Sequence, residues 1–278
     1  MLHRQIFEWC PTCQDEASKK EEMPPYQYEQ IKRKSLWNNA TDEFQVEEFK
    51  CPKGHITVGI HQNFQYEFLL DMALEDLLNC NFRGAFFNFA SAEERFFEFF
   101  IEVICIKHNI SLEAFDETWK IIGNLSERQY GAFSFLYLLE FGISPIDISR
   151  KQIENKRKNK KYTVKELRNK VIHQGYKPTE KEAKDYGNAV ISNIRNIVAK
   201  LKDSADSAII KMTHKKLKLR TEEVNKLYKN QRVNIATICG GGICSNLFAS
   251  KPQEISIDKL LEEMKKDIEN NKRHYNLD

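Results

Sequence analysis

The sequence has little excess charge of either sign and no long apolar run. It holds 43 lysine and arginine residues against 40 aspartate and glutamate residues, a net charge of +3 over 278 residues, so we do not expect it to coat nucleic acid indiscriminately. The most apolar run, residues 96–106, contains Glu98 and Glu102 and is too short to cross a bilayer. Residues 1–4 lack the apolar core of a signal peptide, and the odd number of cysteines, seven, fits a reducing compartment. We therefore expect a cytosolic protein that has no membrane partner.

Two short motifs near the N-terminus carry paired metal ligands. The first is Cys10-Pro-Thr-Cys13 and the second is Cys51-Pro-Lys-Gly-His55. Thiolate and imidazole groups are the ligands that tetrahedral Zn²⁺ prefers, and two such pairs fill all four positions around one ion. The pattern predicts a structural zinc rather than a catalytic one. His61 is an alternative to His55 as the fourth ligand.

The residues around the second motif predict a small β zinc ribbon over residues 1–63. Residues 45–50 and 56–60 are rich in alternating or β-branched side chains, which is typical of strands. Four unconnected side chains are the alternative interpretation of the ligand pattern. The zinc ribbon is expected to serve as a brace or as a docking module.

The rest of the sequence predicts an all-α fold. Large apolar residues recur at helical spacing from Tyr66 onward, and caps at Ser111 and Ser126 mark further helix starts. We predict an up-and-down bundle of four to five helices over residues 64–203, followed by a helical C-terminal tail over 204–278. In that tail Ser256 caps a helix whose apolar stripe docks on the bundle or on a partner. The stripe consists of Ile257, Leu260, Leu261, Met264 and Ile268.

A short helix is predicted to begin at Val164. Thr163 and Glu166 have the spacing of a capping box, and Gly175 followed by Pro178 is the expected stop. The helix therefore ends before Gly175 and makes about three turns.

This helix carries three polar residues suited to phosphate chemistry without a metal. Asn169 and His173 are four residues apart and share a face, and the long side chain of Arg168 can reach the same patch. A helix with a half-buried histidine and a solvated arginine is the plain structural alternative.

A basic segment immediately precedes the helix. Between Arg150 and Lys161 there are seven basic residues and one acid, Glu154. Such a segment attracts a polyanion, although most charge runs are solvated loops or helix ends. A second basic cluster, between Lys211 and Arg220, is open to the same two interpretations. The predicted RNA-binding residues are Lys156, Arg157, Lys158, Lys160 and Lys161.

The pattern Arg168-x4-His173, with Asn169 directly after the arginine, resembles the motif of HEPN domains. Two long helices before the motif, and another that opens at Thr179 and runs to about Leu201, resemble the helix order of that family. The resemblance covers roughly residues 65–202, about half of the chain. It implies a HEPN-like bundle and a metal-independent endoribonuclease that cleaves RNA through its 2′-hydroxyl.

By this resemblance, His173 acts as base or acid, Arg168 binds the phosphate and Asn169 donates a positioning hydrogen bond. Members of the family pair their motif helices across a two-fold axis, which implies a homodimer with a composite site. Many are toxins or antiviral-defence effectors, which implies a regulatory partner as well.

Two other functions fit the same residues. One is a non-catalytic HEPN-like dimer that acts as a nucleic-acid-binding or antitoxin-like partner. The other is a zinc-dependent nucleic-acid-binding regulator, whose activity would follow Cys10, Cys13 and Cys51 rather than His173.

Overall fold

The fold is mostly helical and carries a small β-sheet. A computed structural model describes residues 10–20, 32–35, 43–155, 159–238 and 256–275. The helices are α1 (Pro11–Ser18), α2 (Gln65–Leu78), α3 (Phe82–Lys107), α4 (Leu112–Ile122), α5 (Ser126–Phe141), α6 (Val164–His173), α7 (Glu180–Leu227) and α8 (Ile257–Tyr275). The strands are β1 (Lys32–Ser35), β2 (Val46–Lys50), β3 (Ile56–His61), β4 (Gln152–Asn155), β5 (Lys160–Thr163) and β6 (Asn234–Ile238). A mostly helical fold with a small N-terminal sheet, as the sequence predicts, is confirmed.

Helix α3 lies at the centre of the helical part. It packs against α2, α4, α5, α6 and α7, so side chains all around it are buried. Phe86, Phe89, Phe96 and Phe100 are fully buried there. Burying such a side chain stabilises the fold by about 2 kcal/mol relative to leaving it exposed. None of the described helices combines the length and the apolar character needed to span a bilayer.

The predicted helix ends are largely confirmed. Ser111 accepts a hydrogen bond from the backbone N–H of Ala114 at 3.2 Å and so caps α4. Helix α5 begins at Ser126, but Leu125 rather than Ser126 occupies the cap position. The amide of Gln129 donates to the carbonyl of Gly123 at 2.6 Å. The helix stops at Gly142, whose φ of 68° is easily adopted only without a side chain.

Helix α7 is longer than the periodicity near its start indicates. It continues past Leu201 to Leu227, with one non-helical residue, Ala205, at a φ of −141°. Ala205 and Met212 are still buried, so the apolar stripe goes on beyond the break. The predicted domain boundary at residue 203 falls inside this helix.

The sheet joins three strands before the helical bundle to one strand that follows α7. Its order is β1-β2-β3-β6, and β2 and β3, the two strands that the sequence predicts, pair antiparallel. Strand β6 lies parallel to β3, with Thr57 opposite Asn234. Neither β1 nor β6 is anticipated by the sequence pattern.

Helix α8 docks on its own bundle, which decides between the two expectations for the tail. Ser256 Oγ accepts from the backbone N–H of Lys259 at 3.3 Å and caps the helix. Ile257 is fully buried. The backbone of α7 can approach it closely because residue 187 is a glycine and has no Cβ. A Cβ on Gly187 would lie 2.5 Å from both Ile257 and Phe89. The side chain of Ile268 lies outside what the structure describes.

Part of the second basic cluster holds the sheet against the helices. Lys216 Nζ lies 2.6 Å from a carboxylate oxygen of Glu43 and 2.9 Å from one of Glu102. Arg220 donates to the backbone carbonyl of Glu43 at 3.0 Å. Lys216 and Arg220 therefore have structural partners and are not simply solvated.

Candidate functional site

The predicted limits of the motif helix, α6, are confirmed. Thr163 Oγ1 accepts from the backbone N–H of Glu166 at 3.2 Å, and the Glu166 carboxylate accepts from the backbone N–H of Thr163 at 2.8 Å. The helix ends at His173, and Gly175 adopts a φ of 66° two residues later. Local hydrogen bonds alone thus decide where this helix begins.

Arg168, Asn169 and His173 all line one cavity of about 740 Å³. The other walls are α3, the first turns of α5, the segment around residues 146–150 and one residue of α7. Asn169 and His173 are exposed, and Arg168 is half-buried. The structure therefore brings the three predicted residues to one wall of a single cavity.

Two acidic residues of α3 form part of the facing wall. The guanidinium of Arg168 donates a hydrogen bond to the carboxylate of Glu94. Beside it, the hydroxyl of Tyr186 donates to the carboxylate of Glu93 at 3.4 Å. In the sequence both glutamates stand only as polar positions between aromatic residues. The contact of Glu94 with Arg168, and the position of Glu93 beside it, depend on how α3 packs against α6, so the periodicity carries no signal for either.

The environment of Glu93 shifts the pKa of its carboxyl group toward neutral pH. Burial raises the pKa of Glu93 to about 7, although the positive charge of Arg168 acts in the opposite direction. Burial also raises the pKa of Tyr186, so its hydroxyl stays protonated and can donate. A carboxyl group that titrates near the working pH is suited to general acid–base catalysis.

The described residues of the basic segment before α6 include a β-hairpin. Strands β4 and β5 pair with Asn155 opposite Lys160, and the backbone N–H of Val164 donates to Lys151 at 2.9 Å. Lys160 and Lys161 are exposed on β5, whereas Lys156, Arg157 and Lys158 lie outside the described residues. Lys160 and Lys161 are not among the residues that line the cavity, so the hairpin lies next to it rather than inside it.

The second candidate site is the predicted metal centre. The ligand atoms of Cys10, Cys13, Cys51 and His55 lie within 4.8 Å of one another. The Sγ atoms of Cys13 and Cys51 are 3.9 Å apart, and Cys13 Sγ is 3.4 Å from Nδ1 of His55. Zinc–sulfur and zinc–nitrogen distances of about 2.3 and 2.1 Å give a tetrahedron with edges of about 3.6–3.8 Å. The four residues thus fit a closed, structural zinc site.

The fourth ligand in this cluster is His55, not His61. His61 is buried elsewhere, with its Nε2 atom 3.1 Å from a carboxylate oxygen of Glu47. Nε2 of His55 lies 3.6 Å from a carboxylate oxygen of Glu16. A carboxylate on the outer nitrogen orients a histidine ligand and increases its basicity.

Local backbone structure brings the thiols together. Cys10 is the N-cap of α1 and Pro11 its first residue, which places Cys13 in the first turn. Gly54, at a φ of 84°, makes the turn that returns the chain to His55. Burial, together with the thiols of Cys10 and Cys51, raises the pKa of Cys13 to about 12. A bound metal ion would supply the positive charge that keeps such a cluster deprotonated.

Comparison of this chain with protein-family models, curated proteins and solved structures finds no match. The function must therefore be inferred from the cavity, the hairpin and the metal cluster.

Proposed function

We propose that this protein is a metal-independent endoribonuclease whose active site is the cavity beside α6. The observation that carries the proposal is that Arg168, Asn169 and His173 share one wall of a cavity that Glu93 also lines. The set contains an imidazole and a carboxyl group, which can transfer protons, together with a guanidinium and an amide, which can donate hydrogen bonds. The resemblance of the motif to HEPN ribonucleases points to the same chemistry.

Cleavage through the 2′-hydroxyl needs three contributions. A base removes the proton of the 2′-hydroxyl as its oxygen attacks the phosphorus, an acid protonates the leaving 5′-oxygen, and donors stabilise the charge on the phosphate. The products are a 2′,3′-cyclic phosphate and a 5′-hydroxyl. No step requires a metal ion, and the residues of the cavity can supply all three contributions.

Each residue of the motif has a role that suits its position. His173 is exposed on the cavity wall, where its imidazole can exchange a proton with the substrate. Arg168 uses part of its guanidinium on Glu94, and its other N–H groups can bind phosphate oxygens. Asn169 can donate a hydrogen bond that positions the same phosphate.

The second proton transfer needs a partner for His173, and we assign it to Glu93. Glu93 lines the same cavity, and its pKa of about 7 allows it to give or take a proton at neutral pH.

The HEPN resemblance implies a different partner, the second His173 of a homodimer with a composite site. If Glu93 acts, Glu93→Gln removes a limb near pH 7 from the pH–rate profile. An unchanged profile would favour the composite site.

The β4–β5 hairpin is the proposed RNA contact next to the cavity. Lys160 and Lys161 are exposed on β5 and lead directly into α6. Binding through such lysines weakens steeply with salt, because bound counterions are released from the RNA. In this proposal the zinc cluster braces the sheet, and the resemblance implies a regulated toxin or antiviral-defence effector.

The deciding experiment compares RNA cleavage by the wild type and by His173→Ala, each with EDTA present. His214→Ala is the matched control, because His214 is an exposed histidine on α7 away from the cavity. We expect cleavage by the wild type and the control alone, with 2′,3′-cyclic phosphate ends. A 2′-deoxy substitution at the scissile nucleotide should abolish it.

Cleavage by His173→Ala at the wild-type rate would refute the proposal. RNA binding without cleavage by any variant would favour the non-catalytic nucleic-acid-binding alternative. The ion pair of Arg168 with Glu94 is compatible with that alternative as well, since it holds the guanidinium in place.

A further inference from the structure

Helix α5 is apolar on two opposite faces. One face carries Phe133 and Tyr137, which are buried and contact the rings of Phe97 and Phe100 on α3. The other face carries large apolar side chains that are exposed to solvent. A helix that is apolar all around is normally covered on all sides. In the described part of the chain nothing covers the second face of α5 to that extent.

The exposed apolar residues are concentrated in this region. Among the described residues, seven of the eleven exposed large apolar side chains lie between residues 121 and 146. They are Ile121, Leu125, Phe135, Leu138, Leu139, Ile143 and Ile146. Phe135 is 71% exposed and Leu139 is 79% exposed. We call this set the α5 patch.

The size of the α5 patch is that of a protein–protein interface. With about 200 Å² for each fully exposed large apolar side chain, the patch presents about 800 Å². The largest apolar patch on a typical monomer is about 300–600 Å². A standard interface buries about 800 Å² on each partner. The patch is therefore as large as one side of a stable dimer.

We propose that the α5 patch is the contact surface for a second copy of this chain. Between Arg128 and Glu140 helix α5 has no charged residue, so two copies of the helix can meet without burying an unpaired charge. A two-fold axis lets one patch serve both partners and closes the assembly at two chains. The shape of the patch must then be complementary to an identical patch on the second copy.

Gly131 supports a close contact between two helices. It lies on the same face as Phe135 and Leu138, and a Cβ there would meet nothing within 4 Å. Glycine in a helix interior costs about 1 kcal/mol relative to alanine. The packing within the described chain leaves room for a side chain at position 131. A second α5 that approaches closely at this point would need that room, which explains a glycine here.

The α5 patch reaches the rim of the cavity. Ile146 belongs to the patch and lines the cavity, together with Tyr130 from the second turn of α5. Pairing through α5 would thus place the interface beside the two active sites. This consequence rests on the proposed function, whereas the interface itself rests only on the exposed apolar surface.

The test measures the molar mass of the full chain by light scattering at micromolar concentrations, without RNA. We expect twice the chain mass of 32.7 kDa for the wild type and a single chain for Phe135→Glu and for Leu139→Glu. Leu227→Glu is the matched control, because Leu227 is 60% exposed at the end of α7 and outside the patch. It should remain a dimer.

A second variant tests the role of Gly131. A Cβ at Gly131 meets no described atom within 4 Å, whereas the side chain of Gly131→Trp would separate two closely packed helices, so we expect a single chain. Circular dichroism and the melting temperature, measured where all variants are monomeric, should agree with those of the control.

Several results would overturn the proposal. A wild type of single-chain mass, or a dimer that both glutamate variants leave intact, would do so. Open-ended assemblies would indicate a different kind of contact. A monomeric wild type that both glutamate variants destabilise would assign the patch to another segment of the same chain. Because no RNA is cut, this result is independent of the nuclease proposal.

Discussion

Arg168 on α6 donates a hydrogen bond to Glu94 on α3, and this contact ties the motif helix to the centre of the bundle. Both side chains are about one-quarter exposed, so water screens the pair only in part. Glu94 is therefore expected to position Arg168 rather than to react with the substrate.

Removing the charge of Glu94 should impair catalysis through Arg168. We expect Glu94→Gln to lower kcat about tenfold and Arg168→Ala to lower it about 10²-fold or more, because in the proposed mechanism the guanidinium stabilises charge on the phosphate. Glu127→Gln, an exposed acid on the same cavity, is the control. Single-turnover kinetics on one RNA gives the rates. In the Arg168→Ala background, Glu94→Gln should have no further effect. An equal additional loss there would contradict the positioning role.

The carboxyl group of Glu67 should make stability depend on pH. Burial raises the pKa of Glu67 to about 8 from an ordinary value of 4.5. Between these values the folded chain holds a proton that the unfolded chain has released, so the free energy of unfolding falls as pH rises. Glu67→Gln removes this dependence and keeps an oxygen that can accept from the backbone N–H of Phe64.

The wild type should lose about 3 kcal/mol of stability between pH 5 and pH 8, and Glu67→Gln should not show this loss. Urea unfolding at the two pH values measures the difference. Glu117→Gln, at an exposed position on α4, should change the free energy of unfolding by the same small amount at both pH values. A gain for Glu67→Gln that does not vary with pH would contradict the burial of an ionisable carboxyl group.

The metal cluster predicts one zinc ion per chain, bound through His55. We expect Cys13→Ser and His55→Ala to lose the zinc, and His61→Ala to keep it because His61 lies with Glu47. Atomic emission on the purified proteins measures the content. Glu16→Gln should weaken zinc binding about tenfold, since Glu16 orients His55. Asp15→Asn, at the neighbouring position in the sequence, should leave zinc binding unchanged. Loss of zinc from His61→Ala alone would reverse the assignment of the fourth ligand.

Lys216 should be among the most sensitive positions for stability. Lys216→Met leaves the carboxylates of Glu43 and Glu102 without their cation, which should cost about 3 kcal/mol or more in the free energy of unfolding. The exposed Lys218→Met is the control. Chemical unfolding of both variants provides the comparison. Adding Glu102→Gln to Lys216→Met should restore part of the loss; no recovery would show that the cost lies in packing.

Much of the local structure can be predicted from the sequence because its causes are local. The capping box of Thr163 and Glu166 and the positive φ at Gly175 define α6 with contacts no more than a few residues apart. The spacing of Cys10 and Cys13, and of Cys51 and His55, likewise places each pair of metal ligands on one turn. These features need no knowledge of the rest of the chain.

Other features depend on segments that are distant in the sequence. The pairing of β6 with β3 joins residues 234–238 to residues 57–61, and neither segment alone indicates the other. The choice of His55 over His61 follows from tertiary contacts, because His55 lies with the three cysteines whereas His61 lies beside Glu47. Periodicity cannot decide between two histidines that both fit the spacing.

The candidate site divides in the same way. The sequence by itself determined the helix that carries Arg168, Asn169 and His173, because helical caps and periodicity are properties of neighbouring residues. Only the tertiary structure brought Glu93 and Glu94 to that helix, turned Lys216 inward and left one face of α5 exposed. Those outcomes depend on which surfaces pack together, and packing is decided by the shape and burial of the whole chain.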